Sequence, residues 1–132
     1  MKTEYQLLNC AKNLSKIYRS ITGSGTIKVL KFLKKELPML KIKSVPTGFK
    51  AFDWVVPKEW NVKDAYILNN KKKIIDFKKN HLHLVSYSIP VNKKISLKNL
   101  NKNLFSLPKM PNAIPYITSY YNKSWGFCLT HN

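Results

Sequence analysis

His81 and His83 stand one residue apart. On a β-strand two side chains at that spacing share a face, which is a geometry that metal sites use. Val85, Tyr87 and Ile89 would share the same face, and Asp76 is the nearest carboxylate in the chain. An apolar sheet face therefore accounts for the pair at least as well as a metal does. His131, close to the last residue, adds little to either reading. Asp53-Trp54 and Glu59-Trp60 each set a carboxylate beside an indole, on either side of Pro57. Such a pairing suits a clamp at the mouth of a site, with the rings supplying shape and a carboxylate attracting an ammonium group. It also suits two indoles packing a small domain while the acids cap turns or pair with lysines.

Arg19 is the only arginine, beside 23 lysines. A guanidinium kept among lysines points to a planar, bidentate partner such as a buried or ligand carboxylate. The turn that follows, Ser20-Ile21-Thr22-Gly23-Ser24-Gly25, could present amides to an anion at the start of a helix. It lacks the lysine and spacing of a phosphate-binding loop. Tyr116, Tyr120, Tyr121 and Trp125 form an aromatic cluster, with Tyr116 and Tyr120 on one face of a strand and Tyr121 on the other. One face could stack on a sugar or on another domain, and cross-strand packing is the alternative. Cys10 and Cys128 are far apart, and Cys128 has no neighbouring base to lower its pKa. Two buried thiols fit better than a disulfide, a zinc knuckle or a nucleophile.

The elements that must position these groups fall into two kinds. Thr3-Glu4-Tyr5-Gln6 reads as a capping box opening a helix in which Leu7, Ala11, Leu14 and Tyr18 repeat at helical spacing. Gly23 and Gly25 separate it from a second helix, capped by Ser24 or Thr22, lined by Ile27, Leu30, Leu33 and Leu37 and ended by Pro38. These stripes carry more apolar surface than two helices can cover against each other. The residues then become β-branched and aromatic in short runs. Expected strands are Leu40 to Val45, Phe52 to Val56, Ala65 to Leu68, Lys73 to Phe77, Leu82 to Ile89, Tyr116 to Tyr121 and Trp125 to Thr130. Asn69 to Lys72 and Asn122 to Ser124 read as hairpin tips. A short helix capped by Ser96 interrupts the series. The pattern predicts an α+β chain in which two N-terminal helices precede a small, mainly antiparallel β domain.

With 132 residues and 44% hydrophobic content the chain can bury a modest core and is no disordered basic tail. Its apolar runs are too short to cross a bilayer and no signal peptide opens it, so a cytoplasmic location without a membrane partner is expected. The formal charge is +18, from 24 basic and 6 acidic side chains. Lys, Asn and Ile together number 47 while Arg, Ala and Gly number 9, the skew of an AT-rich coding sequence. No lysine run exceeds Lys71 to Lys73, which argues against a specific nucleic-acid partner.

Several ordered stretches carry a resemblance. They are Arg19-Ser20-Ile21-Thr22-Gly23, Val45-Pro46-Thr47-Gly48, Phe52-Asp53-Trp54, Val56-Pro57-Lys58-Glu59-Trp60-Asn61 and Asp64-Ala65-Tyr66-Ile67. His81-Leu82-His83, Ser86-Tyr87-Ser88, Ile114-Pro115-Tyr116, Thr118-Ser119-Tyr120-Tyr121 and Trp125-Gly126-Phe127-Cys128 complete the set. In that order the chain resembles the N-terminal part of a bacterial family of polysaccharide-biosynthesis proteins with an aminopeptidase-like domain. The resemblance implies a zinc-aminopeptidase-like core interrupted by a β-rich domain of unknown function. Residues 1–51 would begin that core and residues 52–132 would be the inserted domain, so the chain would be an incomplete N-terminal segment of the larger fold. The family's metal ligands lie downstream of the Trp-Gly-Phe-Cys segment. The resemblance therefore implies zinc in the full-length family but no catalytic residue, metal or cofactor within these residues. The implied role is accessory, shaping access to a downstream zinc site, with Arg19, Asp53, Trp54, Glu59, Trp60 and Tyr120 positioning substrate. A non-enzymatic module holding a glycan or protein on an aromatic face is the alternative. Expected partners are the downstream core, a peptide or glycan substrate, and a second copy meeting the exposed leucines.

Overall fold

The computed structural model describes residues 2–132. The chain divides between Asn61 and Val62 into two compact units. In the first, helix α1 runs Lys2–Ser15 and helix α2 Ser24–Glu36. Thr3 and Gln6 already lie inside α1, so the expected capping box does not cap it. The helix stops short of Tyr18 because its last carbonyls find other donors. Ser15 Oγ donates to Lys12 O at 2.9 Å, and Arg19 Nη1 donates to Leu14 O at 3.0 Å and Ile17 O at 3.3 Å.

Helix α2 is capped by neither Ser24 nor Thr22. Gly23 is the N-cap, at φ 118°, and the amide of Ser24 donates to Asn61 Oδ1 at 2.8 Å. A Cβ at residue 23 would meet Trp60 O at 2.7 Å and Asn61 Oδ1 at 2.9 Å. Glycine is needed there both for the left-handed backbone and for the close approach. The amide of Leu37 donates to Leu33 O at 2.8 Å and Pro38 follows, as the sequence suggests.

The expected strand from Leu40 to Val45 does not form. Among the described residues this unit holds one sheet, the hairpin of β1 (Lys50–Ala51) and β2 (Trp54–Val55), and residues 40–45 pair with neither strand. At the hairpin tip Phe52 has φ 56° and a fully exposed ring. No residue of α2 is buried, and Leu7, Leu8, Ile27, Leu37 and Met39 are exposed.

Every buried apolar residue of the core belongs to the second unit: Ile75, Phe77, Val85, Tyr87, Leu100, Phe127 and Cys128. Strands β3 (Tyr66–Asn69) and β4 (Lys72–Asp76) form an antiparallel hairpin. Its tip is where the sequence puts it, with Asn70 at φ 47° and Lys71 at φ 65° in the left-handed conformation that a two-residue turn requires. Helix α3 (Leu97–Leu100) has Ser96 as its N-cap and buries Leu100. Strands β5 (Leu104–Phe105) and β6 (Phe127–Cys128) pair in parallel. Gly126 lets them close, because a Cβ there would stand 2.7 Å from the Phe105 ring and 2.9 Å from Asn103 O.

Two expected strands are corrected. His81–His83 is a 3-10 turn whose N-cap Asn80 accepts from the Leu82 amide, and residues 84–89 are tightly held without forming a ladder. Ser86 N donates to Ile117 O at 2.9 Å and Ile89 N to Ser124 O at 2.9 Å, on either side of Tyr87 at φ 67°. That left-handed residue breaks the period-two alternation the sequence reading assumed. Tyr116 to Tyr121 fails for the same reason, since Tyr120 (φ 42°) and Tyr121 (φ 66°) turn the chain before Asn122. Each such residue costs about 1–3 kcal/mol that the surrounding packing must offset.

Candidate functional site

In the first unit the residues flanking α2 close onto the segment 58–61. Ser20 Oγ donates to Thr22 O and to Trp60 O, and Thr22 Oγ1 donates to Lys58 O at 3.1 Å. The rings of Tyr18 and Trp60 meet edge to face with centroids 5.8 Å apart. Asn61 Nδ2 donates to Glu59 Oε2 at 3.5 Å while its Oδ1 caps α2. Trp60 is half-buried in this lock and Glu59 is exposed beside it. Arg19 reaches backbone carbonyls at the end of α1, where the sequence reading looked for a carboxylate. Asp53 and Trp54 belong to the β1–β2 hairpin, both solvent-exposed. The Ser20–Gly25 turn thus spends its polar groups on the chain itself, and no anion is needed to satisfy it.

In the second unit Tyr120 is 50% exposed and packs against two further tyrosines. Its ring centroid lies 6.2 Å from that of Tyr87 and 5.5 Å from that of Tyr121, both nearly perpendicular. Tyr87 and Tyr121 are 4.3 Å apart. Lys93 Nζ sits 5.0 Å over the Trp125 ring. The sequence does not assign Tyr87 to the aromatic cluster and gives no sign of Lys93. The Ser-Tyr-Ser run around residue 87 is the one signal that could have marked the first.

The histidines have structural partners. His83 Nδ1 is 2.8 Å from Cys128 O, and the His81 ring lies 5.0 Å from that of Phe77. Burial pushes the pKa of His81 down and that of the Cys128 thiol up, the latter opposed by a hydrogen bond from the Ile117 backbone. Cys10 is half-buried rather than buried. His131 Nδ1 meets Ser106 Oγ at 2.8 Å. Asp64 is held below the usual carboxylate range, first by a hydrogen bond from Lys78 and then by the charges of Lys73 and Lys78 and the Ala65 amide, against some desolvation. Among the described residues no three His, Cys, Asp or Glu side chains converge as metal ligands.

A family described as "Domain of unknown function (DUF2172)" matches residues 59–132, more than half of the chain. The chain belongs to that family. Over 132 residues it is 48% identical to a Clostridium acetobutylicum protein described as "Putative polysaccharide biosynthesis protein with aminopeptidase-like domain". That match takes in 99% of this chain and 30% of the relative, at its N-terminal part. A crystal structure from the same organism, described as a "putative peptidase", superposes with a TM-score of 0.96 at 48% identity. It covers 99% of this chain and 31% of the other. The DUF2172 chain is thus α+β and spans about 30% of the length of the curated relative it matches. No helix among the described residues is long and apolar enough to cross a membrane.

Proposed function

We propose that the chain acts as the accessory N-terminal segment of an aminopeptidase-like hydrolase, shaping access to a zinc site contributed by sequence outside these residues. One observation carries this reading. Among its described residues the first unit buries no apolar side chain, and it leaves Leu7, Leu8, Ile27, Leu37, Met39 and Phe52 exposed. Isolated domains rarely tolerate so much open apolar surface, and sheet packing by a larger core is the ordinary remedy. The relative named for an aminopeptidase-like domain is more than three times as long as the stretch it shares with this chain. Within this reading the substrate-positioning set divides. Asp53, Trp54 and Tyr120 act through open surface, Glu59 and Trp60 through the lock at the start of α2, and Arg19 by holding the carbonyls at the end of α1. The segment lies in the cytoplasm, with a peptide as the first substrate class to test.

The test is reconstitution with the remaining part of the clostridial relative. Purified chain mixed with that part should co-elute, and α1 and α2 should become more protected in amide exchange. Hydrolysis of aminoacyl p-nitroanilides should need both parts, and the chain alone should hold no stoichiometric zinc after dialysis. Co-elution without any change in the helices, or full hydrolysis by the relative's remaining part alone, would remove the accessory role.

A further inference from the structure

The second unit is short of anions. It carries twelve lysines against two aspartates, a formal net charge of +10. Both aspartates are already engaged, Asp64 by Lys73 and Lys78 and Asp76 by Lys73. Among the described residues the ten other lysines have no carboxylate within ion-pair distance. Charge of this kind attracts an acidic polymer, and its steepness with salt reports how many cations take part.

An aromatic cluster in the same unit says which polymer fits. Tyr87 is buried, Tyr121 is half-buried and Tyr120 is half open to solvent, so one ring is offered on a support of two others. All three hold left-handed backbone, which fixes their placement at a cost the fold must bear. Residues 85–89, hydrogen-bonded at Ile89 to Ser124, continue to Lys93 over the Trp125 ring. Lys123 is exposed on the turn between Tyr121 and Trp125.

We propose that this unit binds an acidic polysaccharide, a uronate-bearing glycan whose sugar ring stacks on Tyr120 and whose carboxylates are drawn by the lysines that lack a carboxylate partner, Lys93 and Lys123 among them. The C–H groups of a pyranose suit the negative face of an aromatic ring. Single-stranded nucleic acid suits the site less. Its bases stack on successive faces, but the Tyr120 ring stands at 80° to Tyr87 and 77° to Tyr121. Nor does the unit contain an arginine for base or phosphate forks. The surface needs no peptidase core in order to act.

Calorimetric titration of the full chain tests this, with an oligogalacturonate, a neutral dextran oligomer of equal length and a single-stranded oligonucleotide of equal charge as probes. The oligogalacturonate should bind most tightly. Tyr120→Gly should weaken it about tenfold, while Tyr120→Phe retains most of the affinity. Glycine adopts the φ of 42° without strain, so the backbone turn is kept when the ring is lost, and far-ultraviolet circular dichroism of the variant should match that of the parent chain. Lys93→Gln with Lys123→Gln should weaken binding further and flatten its salt dependence. Unchanged affinity in Tyr120→Gly, tighter binding of the oligonucleotide, or no binding of the oligogalacturonate overturns the proposal.

Discussion

The two units resemble each other in size and lysine content and differ in how they close. The second buries Ile75, Phe77, Val85, Tyr87, Leu100, Phe127 and Cys128. The first is held by polar contacts around Ser20, Thr22, Trp60 and Asn61, with no apolar side chain buried among its described residues. Hydrogen bonds net about 1 kcal/mol each, because water offers the same partners, whereas a buried large side chain contributes roughly 1.5–3 kcal/mol. Geometry in the first unit is therefore well specified but weakly enforced.

The sharpest way to break this comparison is to remove one large apolar group from each unit. Phe127→Ala should destabilise the second unit by about 3–5 kcal/mol, while Leu7→Ser should change stability by no more than about 0.5 kcal/mol. Thermal and urea unfolding would measure both, and equal losses would show that α1 has a hidden core. Next in size, Asn61→Ala removes the acceptor for the Ser24 amide and should cost about 1 kcal/mol of α2. Helical circular dichroism should fall while the amide resonances of the second unit stay put. Lys71→Gly at the β3–β4 tip and Phe52→Gly at the β1–β2 tip each relieve a left-handed residue, partly offset by the freer unfolded chain, and each should raise stability by no more than about 1 kcal/mol. The smallest effect concerns pH. Because the folded pKa of His81 lies below its ordinary value, the unfolded chain binds the extra proton first. Stability of the second unit should be full above about pH 6.5 and fall as pH drops through that value toward the lowered pKa. His81→Phe should flatten the change in unfolding midpoint between neutral and mildly acid buffer.

What could be read from the sequence depended on how local its cause was. Gly23 at the start of α2, Pro38 after its end, the Ser96 cap and the Asn-Asn-Lys-Lys tip each act within a few residues and stand where expected, whereas Gly25 lies inside α2. The capping of α2 came out otherwise because its acceptor, Asn61, lies 37 residues away. The strands at Leu82 to Ile89 and Tyr116 to Tyr121 failed because three tyrosines adopt backbone that propensity assigns to glycine or asparagine. The same tyrosines build the aromatic cluster, so the departure from local preference coincides with the candidate surface. Trp60, Tyr120 and Trp125 were visible as residue types, but their respective partners Tyr18, Tyr87 and Lys93 depend on folding to meet them.

The parallel pairing of Leu104 with Phe127 and Phe105 with Cys128 bears on how the chain is made. Phe127 also bridges back to Leu84, so one late residue joins two earlier segments of the core. On the ribosome, which adds about 5–20 residues per second, the β3–β4 hairpin can form as soon as it emerges. The rest of the unit must wait, open and adhesive, until residues 126–128 leave the exit tunnel. Slow codons between Leu107 and Trp125 would lengthen that exposure, and synthesis speed over this stretch would govern how much of the product is lost to aggregation.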